Sequence, residues 1–196
     1  SKLLEAIEVL LAQAPQRTAS KDGTPGDPLN LVLVGDAEGI YRAFQAAGWT
    51  EPAKFTGPSV YETIRAIVTQ RGYDAAPVSP LFLFGRREDL AFQKTLNTFA
   101  KRHHLRLWRS SVATSGGREI WLGAAAHDID WDLRPGECVV AHAIDPELDR
   151  EREKVAADLV AGGRVGALQL VSRADPLTEG LTATGAPWRT DGRVLV

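Results

Sequence analysis

The strongest constraint on this chain is a pair of strand-like runs joined by two glycines, within residues 102–130. The first run is His104-Leu105-Arg106-Leu107-Trp108-Arg109. The second extends from Ile120 to Asp128, and Gly116-Gly117 lies between them. Two glycines in sequence tolerate positive φ at both positions, which is a strong hairpin signal. Side chains alternate faces along a strand. If Ser115 pairs with Arg118, Arg106 stands opposite His127. In that register Leu105, Leu107, Ile120, Leu122, Ala124 and Ala126 face the core. His104, Arg106, Trp108, Trp121 and His127 then gather on the other side.

The rest of the chain supplies covering elements. Leu3, Leu4, Ile7, Leu10, Leu11 and Ala14 fall on one helical face, so residues 1–14 form an amphipathic helix. It either docks on its own domain or serves as a stalk, a dimer contact or the end of a membrane-proximal helix. Residues 15–28 are polar and punctuated by Pro and Gly, as in a linker. Leu31-Val32-Leu33-Val34 has the length and continuity of a central strand. Asp36 is placed to cap a following helix with the stripe Ile40, Phe44, Ala47, ended by Gly48. Gly35 and Gly39 lack the Lys-Ser/Thr of a phosphate loop, so that signal is weak. A capping box at Ser59–Glu62 opens a second helix that closes at Arg71-Gly72. Leu81-Phe82-Leu83-Phe84 reads as a buried strand, and 86–100 fits a helix or a strand. Arg134-Pro135-Gly136 is a turn, and 138–144 a strand containing Cys138 and His142. Asp145-Pro146 starts a helix that ends at Gly162-Gly163. Residues 165–171 and 194–196 read as strands, 174–187 as a loop, and Thr190-Asp191-Gly192-Arg193 as a tight turn. The expected fold is α+β: one globular domain over 29–196, with a mixed, largely antiparallel sheet and helices mainly on one face.

Charge narrows the function. Lys+Arg 23 against Asp+Glu 25 gives a net −2. That argues against a nucleic-acid binder driven by bulk charge. A single cysteine excludes an internal disulfide framework. No run reaches the ~20 apolar residues of a membrane span.

Arg152 lies in the middle of an apolar helical stripe, four after Leu148 and three before Val155. A buried cation needs a partner, and Asp128, Asp130 and Asp149 are available. The pair either fixes the helix on the sheet or forms part of an anion subsite with Arg106. His104, His127, His142 and Asp128 have ligand chemistry, but no compact metal motif occurs. Neither a metal centre nor a cofactor is therefore expected. Trp108 and Trp121 are either sheet packing or pocket walls, and no nucleophile elbow is present. The candidate ligand-binding set is His104, Arg106, Trp108, Trp121, His127 and Arg152.

Several dispersed motifs carry a family resemblance. They are the run from Pro77 through Leu81-Phe82-Leu83-Phe84 to Gly85-Arg86, Arg102-His103-His104-Leu105-Arg106-Leu107-Trp108, and Gly117-Arg118-Glu119-Ile120-Trp121-Leu122-Gly123. His142, Asp145-Pro146, Asp149-Arg150-Glu151-Arg152 and Thr190-Asp191-Gly192 add to them. Together they are similar to the LssY C-terminal domain of bacteria, over about 29–196. Members are often joined to membrane segments, some to a phospholipid-phosphatase-like domain, and no established activity carries over. The resemblance implies a soluble accessory portion of a membrane-associated protein. Three functions fit: a module recognising an anionic small molecule or lipid headgroup through Arg106, Arg152 and the nearby face of His104, His127, Trp108 and Trp121; a hydrolase of a phosphorylated or lipid-linked substrate with His104 or His127 as acid/base; and a structural domain that packs on its membrane partner.

Overall fold

A computed structural model describes residues 1–52, 81–95, 101–133 and 140–196, without the side chains of 130–143. The helix expected after Ser59, residues 96–100, the 134–136 turn, Cys138 and the side chain of His142 fall outside the described residues.

The main sheet is built on two long strands, β7 (Arg102–Ala113) and β8 (Glu119–Leu133). β8 pairs on its other edge with β3 (Leu31–Val34) and β9 (Val140–Ile144), and β7 pairs with β6 (Leu90–Thr95). Beyond β3 come β13 (Val194–Leu195) and β10 (Leu170–Val171), and the β3–β13 pairing is the parallel one. The ambiguous 86–100 stretch therefore supplies β6, a strand, and the central strand expected at Leu31 is present. The fold is α+β, with a mixed and largely antiparallel sheet.

The sheet is covered on both faces. α2 (Ala37–Ala46) and α3 (Leu148–Ala161) lie on one, where Ile40, Phe44, Val155 and Leu159 pack on Leu105, Leu107, Trp121 and Ala125. α1 (Lys2–Gln13) covers the other, where Ile7, Leu10 and Leu11 meet Val32, Trp108, Ile120 and Leu122. The amphipathic first helix is thus docked on its own domain. Asp36 caps α2 through Gly39 N at 2.7 Å. Asp145, expected to cap α3, instead accepts from Glu147 N at 2.9 Å, and the helix begins at Leu148.

The hairpin register differs from expectation by three residues. Arg106 pairs with Ala124, and His127 with His103. The turn explains part of this. Thr114 O accepts from Gly117 N, and Gly117 at φ 75° closes a three-residue loop rather than a two-residue one. An irregularity between Arg109 and Ala113 supplies the rest. An odd shift moves every side chain of one arm to the opposite face. Hence Trp121 and His127 lie on the α2–α3 face, away from His104, Arg106 and Trp108. At the crossing of β3, β8 and β7, a Cβ on Gly123 would come within 2.8 Å of Leu107 Cδ2 and 3.1 Å of Leu31 Cβ. Only glycine lets the three strands approach so closely there.

The 15–28 stretch is structured as well. It forms β1 (Arg17–Ala19) and β2 (Pro25–Pro28), and β1 also pairs with β4 (Phe82–Leu83), which pairs in turn with β5 (Arg86–Arg87). β2 is an edge strand, a position where prolines lacking N–H are tolerated in a sheet. A last hairpin, β11 (Glu179–Leu181) with β12 (Pro187–Arg189), occupies part of the stretch read as a loop. The strand expected over 165–171 is reduced to β10.

Candidate functional site

Two clusters of polar side chains are buried on opposite faces of β7. Alternation places Arg102, His104 and Arg106 on the face shared with Trp108. All three are buried, although their neighbours on the strand are core leucines. Asp128, directly across from Arg102 on β8, holds His104 Nε2 at 3.0 Å and Arg102 Nη2 at 3.5 Å. Arg102 Nη1 also donates to Gln93 Oε1 at 3.2 Å. Arg106 Nη1 lies 3.7 Å from Asp27 Oδ2 and 3.4 Å from His104 Nδ1. A guanidinium can only donate. Nδ1 of His104 therefore accepts where Arg106 donates, and Nε2–H donates to Asp128. Burial pulls Arg102 down from its usual pKa, while Asp128 opposes that. It remains a cation.

These groups open into a cleft of about 180 Å³, with Asp27, Arg102, His104, Arg106, Asp128 and Thr182 among its lining residues. β2 brings Asp27, and the β11–β12 turn brings Thr182, whose N–H donates to Ala186 O at 2.7 Å. Sequence reasoning missed Asp27 because it lay in the supposed linker. Arg102 shares the parity of His104 and was open to the same argument, whereas Asp128, on the other arm, reaches this face only through the shifted register.

The second cluster faces α3. His103 Nδ1–H donates to Glu151 Oε2 at 2.7 Å, and the His103 and His127 rings stack with centroids 4.0 Å apart and planes 12° apart. His103, His127 and Glu151 each offer a ligand atom, all within 4.8 Å of one another. Burial raises the Glu151 pKa, with His103 opposing, and burial followed by the His103 charge lowers that of His127. His103 was overlooked because it shares a face with Leu105 and Leu107. The stripe that singles out Arg152 equally contains Glu151, three after Leu148 and four before Val155.

The remaining candidates lie apart from the cleft's lining. Trp108 and Trp121 are fully buried on opposite faces, and their indole N–H groups donate to Arg86 O at 3.1 Å and Gly35 O at 2.9 Å. Arg152 makes a bidentate pair with Asp191, at 2.7 and 3.0 Å, and also reaches Arg193 O at 2.8 Å and Asp149 Oδ1 at 3.2 Å. Its partner is the turn at 190–193. Asp128, by contrast, is engaged by His104 and Arg102.

No helix among the described residues is long and apolar enough to cross a membrane. No curated protein and no solved structure matches the chain. Residues 11–194 match the family described as LssY C-terminus, starting within α1 and ending in β13, and the chain belongs to that family.

Proposed function

We propose that this domain is an accessory module of a membrane-associated protein, and that it binds a small phosphorylated ligand in the cleft beside β7. The observation that carries this reading is the buried row Arg102, His104, Arg106 at the wall of a cleft of about 180 Å³. Guanidinium groups match the paired oxygens of a phosphate. The volume is below the ~300 Å³ at which drug-sized pockets begin, so it suits a headgroup or a phosphate ester. Two arginines face two aspartates, Asp27 and Asp128. The ligand's phosphate lies toward Arg106, whose Nη1 is 3.7 Å from Asp27 Oδ2, and its hydroxyl groups face the aspartates and Thr182. Both ring nitrogens of His104 are engaged, which makes it an orienting group rather than a proton carrier.

Calorimetry with inorganic phosphate, glycerol phosphate and vesicles containing phosphatidic acid tests the proposal. Saturable binding is expected, and Arg106→Gln should weaken it by about 10-fold or more, the worth of a charged hydrogen bond. Binding to vesicles alone identifies a lipid as the source. Binding to soluble esters identifies a free metabolite. Absence of saturable binding to all three, or equal binding by Arg106→Gln, overturns the reading.

A further inference from the structure

On the face of β7 opposite the cleft, three side chains from three different elements converge. His103 and His127 form a directly opposed cross-strand pair on β7 and β8, and Glu151 comes down from α3. Only 3% of Glu151 is exposed, yet its Oε1 has no hydrogen-bond partner among the described residues, and neither has the buried Nε2 of His127. A buried polar atom without a partner costs roughly 1–3 kcal/mol. Two such atoms in one three-residue cluster call for an explanation. Three cations of the neighbouring elements are engaged elsewhere. Lys94 and Lys154 both bind Asp158, and Arg152, next to Glu151 in sequence, turns away to Asp191.

We propose that His103, His127 and Glu151 form a binding site for a divalent transition metal of the zinc class. Two imidazole nitrogens and one carboxylate oxygen suit zinc, cobalt and similar cations; calcium and magnesium prefer all-oxygen shells. The hydrogen bond between His103 Nδ1 and Glu151 Oε2, at 2.7 Å, is the metal-free form of two ligands on one cation. The cation takes the place of the proton between them and satisfies Glu151 Oε1 or His127 Nε2 as well. Ligands about 2.0–2.2 Å from one tetrahedral zinc lie about 3.3 Å apart. The group, now within 4.8 Å, closes by an ångström or so. Two parallel rings cannot both contain the metal in their planes, so the stack must open. His127 is the less buried of the two, and its ring is the one that turns. Three protein ligands leave a coordination position for water or a ligand atom, which is the pattern of open rather than purely structural zinc sites.

The test uses the untagged chain with Co²⁺ as the probe, read by its visible d–d absorption and by the metal content after dialysis. One Co²⁺ per chain is expected, and Zn²⁺ should displace it and raise the melting temperature. Glu151→Gln and His127→Gln should each lower Co²⁺ affinity by at least about 100-fold, the upper end of what loss of a supporting second-shell group costs. Glu5→Gln, exposed on α1 across the sheet, should leave it unchanged. If Glu151→Gln does not fold, His127→Gln decides, since that position is only partly buried. A wild-type chain that retains no Co²⁺, or variants at 103, 127 and 151 that retain it as wild type does, would overturn the proposal and leave a hydrogen-bonded histidine stack.

Discussion

Glu151 and Arg152 are consecutive residues on α3, each almost entirely buried, and they face different parts of the molecule. Arg152 points to the C-terminal turn, where Asp191, Asp149 and the carbonyl of Arg193 surround its guanidinium. Glu151 points to the sheet, where one oxygen meets His103 and the other meets nothing among the described residues. The first junction resembles a clasp. Its charges are neutralised locally, and Thr190 and Asp191 are further tied to Asp149 at 2.5 and 2.8 Å. The second leaves hydrogen-bonding capacity unused in a place where water is scarce. A charged residue retained for architecture is expected to be surrounded by partners. One retained at some cost to stability is better explained by something that binds there.

The largest effect should come from breaking the clasp. Arg152→Ala takes the bidentate partner from Asp191, which keeps only Arg193, takes a cation from Asp149, and leaves a void in the apolar stripe of α3. It should lower stability by roughly 3–5 kcal/mol, the range for removing one partner of a buried pair. Denaturant midpoints at neutral pH check this. A midpoint equal to wild type would mean that the turn is held by other contacts, and the contrast with Glu151 would collapse.

Acid provides a graded version of the same test. The hydrogen bond from Arg152 is the main cause holding the Asp191 carboxyl well below the usual carboxylate range, helped by Arg193 and opposed by burial. Its folded-state pKa is therefore depressed. The stability it contributes is complete above the unfolded value of about 3.9 and is lost as pH falls below that toward the folded value. Asp191→Asn should accordingly be less stable than wild type at pH 7, and the gap should narrow as pH falls from about 5 to about 2. A gap that stays constant over this interval would show that Asp191 is held by geometry alone.

These two junctions also show what a sequence of this kind reveals. Arg152 was legible because a cation in the middle of an apolar stripe demands a partner, and so was the strand at Leu31, where four apolar residues run without a break. The hairpin itself was legible too, but not its register. Gly116-Gly117 is compatible with a two- or a three-residue loop. Since both faces of the sheet are covered, the apolar alternation that fixes register in a one-sided sheet does not choose between them. The error carried His127 to the wrong face and separated it from His103, its true neighbour. Asp27 was lost for another reason: short edge strands containing Pro25 and Pro28 have the composition of a linker. Convergence of His103, His127 and Glu151 depends on the register and on the docking of α3 together, and neither is written in local spacing.

The smallest expected effect is the most discriminating. Glu151→Gln keeps the shape of the side chain and an oxygen to accept from His103, and removes the charge. If Glu151 were an architectural ion-pair partner like Arg152, neutralising it would cost several kcal/mol, as it does for buried pairs. Here burial already raises its pKa, so the folded environment disfavours the carboxylate on balance. The amide removes that unfavourable charge, while the new NH₂ finds a crowded site with no acceptor assigned to it. These two contributions oppose one another, and the metal-free stability should change by less than about 1 kcal/mol, the scale of one neutral hydrogen bond. Thermal or denaturant unfolding in the presence of a chelator measures it, alongside Arg152→Ala under the same conditions. A loss comparable to that of Arg152→Ala would place Glu151 in the same architectural class and remove the reason to look for a ligand at its free oxygen.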